Sequence, residues 1–348
     1  MSRELMEMAV EAPPGIAGEA GAVTPAAKAR EGRSAREWAR VLALPAAAVI
    51  ALGVHQGLPN QGPKVTTHSY PMLLVALLIV GLAGAVAQAI WPAARRLVED
   101  KAPLLAAGVL LVCAWELITV KMGLLPLMYF PAPETILQSL IDDRKQLFDS
   151  TWHSLSLLLS GYVLGGIAGV VSGILIGWSS NFRYWGMPVL KIVGPIPATA
   201  WIPMALVIFP QSLAAGIFLI ALTVWFPVTM LTASGVSNVR ASFLDVARTL
   251  GAGQRFLVFR VAIPAAMPSI FIGLFMGLGT SFLTLIVAET VGVKSGLGWY
   301  VSWAQGWAEY GKVYAALLIM AAFFSTIMTV LLKVRDRVLV WQKGTIKW

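Results

Sequence analysis

The chain has 348 residues, 58% of them hydrophobic and only 12% charged, with a mean hydropathy of +0.77. Soluble domains carry charge on about a quarter of their residues, so this composition excludes a soluble protein and points to an integral membrane one. The formal charge of +9 does not call for a nucleic-acid partner, because basic residues flanking membrane helices account for it. The lone Cys113 excludes an intrachain disulfide, and His55, His68 and His153 share no metal-ligand spacing, so no metal site is expected.

Residues 1–38 lack the apolar stretch of a signal peptide and read as a disordered cytoplasmic tail. Eight apolar runs follow, at 39–55, 70–93, 103–121, 151–178, 185–209, 212–232, 264–290 and 312–333. Most approach the ~20 residues a helix needs to cross about 30 Å of hydrocarbon. The fold class is therefore all-α, a polytopic helical bundle. Its orientation follows from the basic residues. With the N-terminus inside, Lys and Arg concentrate in the tails and in the segments around 95–101, 183 and 240–260. The opposite loops hold only Lys64, Lys121, Arg144, Lys145, Lys294 and Lys312, while Lys191 lies inside a span near its cytoplasmic end. This bias places both termini, and the segment 242–264, in the cytoplasm.

The fourth run carries glycine at 161, 165, 169, 173 and 177. A stride of four puts all five on one helix face, where another backbone can approach closely. Gly273 and Gly277 repeat the device in the seventh run. The fifth run contains Pro195, Pro197, Pro203 and Pro210, each of which removes a backbone donor. A broken helix at membrane depth suits either a packing kink or the wall of a water-filled path, with Pro197, Thr199 and Trp201 nearest the break. Two acids fall inside spans. Glu116 reads as a buried structural carboxyl or a functional one, and Glu289 as a pathway residue or a side chain reaching the interface.

The segment SFLDVARTLGAGQRFLVFRVAIP, residues 242–264, is too polar to span. Ser242 is a candidate N-cap, Phe243, Leu244, Val246, Ala247 and Leu250 make an apolar face, and Gly251 sits where a helix would stop in left-handed conformation. A second short basic helix precedes Pro264. Such a helix–glycine–helix elbow fits a groove in a partner protein or lies on lipid headgroups.

The pattern Asp245-Val246-Ala247, three residues, Gly251, nine residues, Val261-Ala262-Ile263-Pro264 resembles the EAA loop of ABC importer permeases. Ala247, Gly251 and Pro264 match that loop outright. The resemblance covers roughly residues 103–335 and is nearest to the nitrate/sulfonate/taurine/bicarbonate group, whose motifs are similar to GPIPATAWIPMAL and VAETVGVKSGLGWYV here. Leu157 stands where that group often has arginine. The resemblance implies a type I ABC importer transmembrane domain in a bacterial inner membrane, with a permease core at 101–335 and a cytoplasmic tail at 336–348; the spans at 39–100 lie outside the family's usual six-helix core and read as an accessory pair. It further implies that Asp245 and Arg248 form polar edge contacts with a cytoplasmic ATPase dimer, that Val246, Ala247 and Leu250 form the apolar ridge, and that Gly251 is the hinge. The partners it implies are that ATPase, a second permease copy and an external substrate-binding protein, with membrane lipid around the bundle.

ATP and magnesium are expected in the ATPase rather than in this chain. The stretch GWAEYGKV, Gly306 to Val313, lacks the terminal Ser/Thr of a phosphate-binding loop and has no preceding strand. A secondary transporter or channel is the alternative, but no paired broken helices mark an inverted repeat and few charges lie within the spans. A membrane enzyme would need clustered His, Asp or Glu at one depth, and none is apparent.

Overall fold

This computed structural model describes residues 35–61, 68–291, 293 and 295–342. The expected tails fall largely outside these residues, as does Lys64. Every regular element among the described residues is a helix. In chain order they are α1 (Ala35–Gly57), α2 (Ser69–Ile90), α3 (Pro92–Glu116), α4 (Pro133–Asp142), α5 (Arg144–Trp178), α6 (Ser180–Val193), α7 (Ile202–Ile208), α8 (Ser212–Ser237), α9 (Ala241–Thr249), α10 (Gln254–Phe256), α11 (Ile263–Val291), α12 (Leu297–Gly306) and α13 (Tyr310–Val338). A π turn, Leu117–Lys121, extends α3, and another, Leu257–Ala262, joins α10 to α11.

The first three helices share a core in which Leu44, Ala47 and Ala51 meet Tyr70, Leu74, Ala102, Ala106 and Val109. His55 at the end of α1 bonds Glu116 at the end of α3, so these two helices run parallel, with α2 returning beside them. The boundary expected at residue 100 falls inside α3, which packs chiefly on α1 and α2.

The glycine face of α5 is filled by α8. A side chain at Gly161 would strike Ile220, one at Gly169 would strike Val228, and one at Gly177 would strike Val236 and the Ala233 carbonyl. The register rises together along both helices, so α5 and α8 are parallel. Two parallel spans consecutive in this way require the chain between them to cross back. That return is made by α6, a 3-10 turn at Ala198–Trp201, and α7, which are bent by 87°. The fifth span is therefore a broken crossing rather than a re-entrant loop, and together with seven continuous apolar helices it gives the eight crossings expected.

Helix α6 begins at Ser180, not at 185, and Lys191 sits in its last turn beside the break, next to Leu190, which packs on Ile176 and Ala233 near the ends of α5 and α8. The prolines stop α6 earlier than an apolar run suggests.

Helix α11 runs antiparallel to α8. Gly273 lies on Pro227 and Val228, Gly277 on Val224, and Gly235 receives Ser269. The Tyr162 hydroxyl donates to the Leu274 carbonyl (3.0 Å), fastening α5 to α11. These contacts bring the end of α8 and the start of α11 to one face of the bundle, with α9 and α10 between them.

Candidate functional site: the elbow and the broken helix

The elbow opens at Arg240, not at Ser242. Arg240 occupies the N-cap without a side-chain bond, and Ser242 lies within the first turn of α9. The chain has already turned out of α8 by residue 240, so the helix starts two residues before the serine could cap it. At the other end the helix stops on Gly251. Gly251 has φ +82°, its N–H bonds the Arg248 carbonyl (2.9 Å), and the Ala252 N–H bonds the Ala247 carbonyl (3.0 Å). This pair of bonds is a Schellman stop, which needs a residue in left-handed conformation. No other atom lies within 4 Å of a Cβ built on Gly251, so backbone conformation rather than crowding calls for glycine.

Phe243, Val246 and Leu250 are exposed, Leu250 by 82%, while Ala247 and Leu244 are half-buried. Phe243, Val246, Ala247 and Leu250 line a shallow hollow of about 460 Å³ with Gly251, Ala252, Gly253 and Phe256. Asp245 and Arg248 pair at 3.1 Å on the exposed edge, where such a pair adds about 0–1 kcal/mol. The second arm is anchored: Leu257 is buried, and Ala262 packs with Val236, Ala266 and Ile270. Pro264 continues α11 just beyond the π turn. The base of the elbow is braced by Arg183, which donates to the Gly177 carbonyl (2.7 Å), the Ile176 carbonyl (3.2 Å) and Ser237 Oγ (2.8 Å). From sequence, Arg183 counted only as a loop charge. Its cation satisfies carbonyls at the end of α5 and ties them to the end of α8.

At the broken helix, Gly194 lets the Phe226 ring close on the backbone. Pro197 is exposed, Thr199 and Trp201 are half-buried, and the Trp201 indole N–H has no hydrogen-bond partner. Trp201 packs with Ala205, Leu219 and Ala288. The exposed prolines and Lys191 thus form an open wall on a single copy of the chain.

Glu289 is 1% exposed, so it does not reach the interface. Ser154 donates to one carboxylate oxygen (2.6 Å), the Gly298 N–H to the other (2.7 Å), and the Leu297 N–H donates back to Ser154 (2.8 Å). The carboxylate thereby closes the N-terminus of α12 onto α5. Gly296, at φ +113°, leaves room for it, since a Cβ there would strike the carboxyl group. Further along α12, the Tyr300 hydroxyl donates to Asp143 (2.6 Å); burial, then the neighbouring Asp143, pushes its pKa up and keeps it a donor. The stretch 306–313 forms the helix–turn–helix between α12 and α13, with no strand before it among the described residues.

Glu116 pairs with His55 Nδ1 (2.6 Å), a partner 61 residues away that spacing alone does not reveal. Lys121 donates to the His55 and Leu58 carbonyls and to Asn60 Oδ1 at 2.6–2.8 Å.

Comparison with known proteins agrees with this arrangement. Residues 161–339 match the family described as binding-protein-dependent transport system inner membrane component. The chain is 31% identical over 165 residues to a probable ABC transporter permease protein of Haemophilus influenzae, covering 47% of this chain and 66% of that one. It is 33% identical over 123 residues to the bicarbonate transport system permease protein CmpB of Synechococcus elongatus, covering 35% and 44%. It is 28% identical over 184 residues to the taurine transport system permease protein TauC of Escherichia coli, covering 51% and 65%. The chain spans less than two thirds of the length of these relatives. The matched region holds the α5–α8 pair, the broken crossing, the elbow and α11 to α13, and on that match this chain belongs to the binding-protein-dependent transport system inner membrane component family.

Proposed function

We propose that this chain is the transmembrane permease subunit of an ABC importer, coupled through α9 and α10 to a separate cytoplasmic ATPase dimer that carries ATP and magnesium. The observation that carries the reading is the elbow. An apolar ridge of Phe243, Val246 and Leu250 stands exposed on a short helix whose second arm is rooted in the bundle core. A pull on that ridge is delivered to α11, and through Gly273 and Gly277 to α8.

Pro197, Thr199 and Trp201 line the solute path, which closes when a second copy covers the open face of the broken crossing. Glu289 serves that path from behind, by holding α12. Solute arrives from an external binding protein on the face opposite the elbow, both termini being cytoplasmic in a bacterial inner membrane. A small anion is the substrate class this reading favours. Relatives are named for bicarbonate and taurine transport, and Lys191 sets a cation beside the break.

The test is Gly251→Val. A β-branched residue at φ +82° is strained by about 1–2 kcal/mol and misdirects the second arm. Uptake by cells should be lost while membrane insertion and abundance stay at wild-type levels. Wild-type uptake would refute the coupling role.

A further inference from the structure

Arg183 stands in the opening turn of α6, but its guanidinium bonds lead to two other helices. One terminal nitrogen bridges the Gly177 carbonyl (2.7 Å), in the last turn of α5, and Ser237 Oγ (2.8 Å), on the last residue of α8. Nε reaches the Ile176 carbonyl (3.2 Å). Ser237 closes the triangle by donating to the same Gly177 carbonyl (3.1 Å). Arg183 therefore grips α8 just before Arg240, the N-cap of α9. Any cation is favourable near the carbonyls that end a helix. The bond across to Ser237 needs more than charge, because only a planar fork of donors serves acceptors on two helices at once.

Beyond Arg183, α6 stays against the same two helices. A Cβ on Gly186 would strike Ile176, Leu190 is buried against Ile176 and Ala233, and Gly194 lies under the Phe226 ring. The 14 residues of α6, about 21 Å long, are thus held along their length by α5 and α8. The piece beyond the break is held elsewhere. Trp201, Ile202 and Ala205 pack with Ala215, Leu219 and Ala288, towards the opposite end of α8 and the far end of α11. Between the two pieces lies the 87° bend, with Pro195 and Pro197. Two rigid pieces with separate anchors meet at a hinge, whose few residues absorb the motion when one anchor shifts.

We propose that Arg183 is a positioning residue that makes α6 follow the elbow, so that a pull on α9 changes the bend at Pro195–Pro197 directly and not only through α11. This inference rests on the importer function proposed above.

The test uses the whole transporter in nanodiscs, isolated through a tag on this chain together with its ATPase. The reporter is Ala200→Cys, exposed in the 3-10 turn just past the bend, while the lone native Cys113 is buried. Its labelling rate with a polar maleimide is compared without nucleotide and with ATP plus vanadate, and ATP hydrolysis is measured beside it. The parent protein should show a severalfold change in labelling. Arg183→Ala should abolish that change while hydrolysis stays near the parent rate, and Arg183→Lys, which keeps the charge but not the fork, should restore only part of it. Ser237→Ala cuts the single bond to α8, should reduce the change, and stands in if Arg183→Ala fails to assemble. A full change in labelling in both Arg183→Ala and Ser237→Ala would overturn the inference alone. So would loss of hydrolysis in step with labelling, which marks a plain structural brace. A parent protein that isolates without an ATPase, or whose labelling ignores ATP, would overturn the importer reading and the inference with it.

Discussion

Two acids lie inside the membrane spans, and they are treated oppositely. Glu289 is enclosed with both oxygens bonded, to Ser154 and to the Gly298 N–H, and a glycine at positive φ makes room for it. Glu116 is as deeply buried, but it is held through side chains alone, with His55 at 2.6 Å and the buried Lys121 ammonium at 3.9 Å on one oxygen, and it borders a cavity. The difference separates two uses of an intramembrane carboxylate. A fully bonded one is a rivet, since its loss strands the donors that surround it. One held by side chains that keep other partners costs the fold less when it is lost.

Substitution of the rivet should have the largest effect. Glu289→Ala leaves Ser154 and the Gly298 N–H buried without an acceptor, which costs about 3–5 kcal/mol. The melting temperature in detergent should fall by many degrees and transport should vanish with it. Ser154→Ala removes one donor to Glu289 and the acceptor of the Leu297 N–H, but leaves the Gly298 bond, so a loss of about 2 kcal/mol is expected in the same assay. Glu116→Gln should cost about 1–2 kcal/mol. It removes the charge that faces His55 at 2.6 Å and the buried Lys121 ammonium at 3.9 Å, while Lys121 keeps its three closer acceptors. A melting temperature lower for Glu116→Gln than for Ser154→Ala would erase the distinction between the two acids.

What the sequence discloses about these sites divides by range. Local signals were readable: the apolar runs, the stride of Gly161 to Gly177, and Gly251, whose left-handed φ follows from its place at a helix end. Pairings set by packing were not. Ser154 lies 135 residues from Glu289, and His55 lies 61 from Glu116, and no periodicity links either pair. Span length puts Glu289 near the end of α11, within reach of the interface, whereas the α12 N-terminus that folds over it leaves no local signal. Likewise four prolines announce a break after α6, but that its two halves make one crossing depends on α5 and α8 being parallel, which only the glycine contacts reveal.

The smallest effect concerns the turns beside the two acids. Next to Glu289 the positive φ falls on Gly296, and next to the Glu116 cavity it falls on Ala308, at φ 57°, the single non-glycine residue of that kind among the described residues. Ala308 closes α12 as Gly251 closes α9: the Ala308 N–H bonds the Gln305 carbonyl (3.0 Å) and the Glu309 N–H bonds the Ala304 carbonyl (2.9 Å). An L-residue with a Cβ pays about 1–2 kcal/mol in this conformation. Glycine relieves that strain but gives back about 0.5–1 kcal/mol through the added freedom of its unfolded chain. Ala308→Gly should therefore stabilise the protein by about 0.5 kcal/mol, read as a melting temperature raised by a degree or so. Because Glu309 and Lys312 line the cavity from this turn, the same variant should loosen the wall that faces Glu116 while leaving the Glu289 cage untouched. A drop in melting temperature would mean that the alanine methyl packs in the cavity wall more tightly than its backbone strain costs.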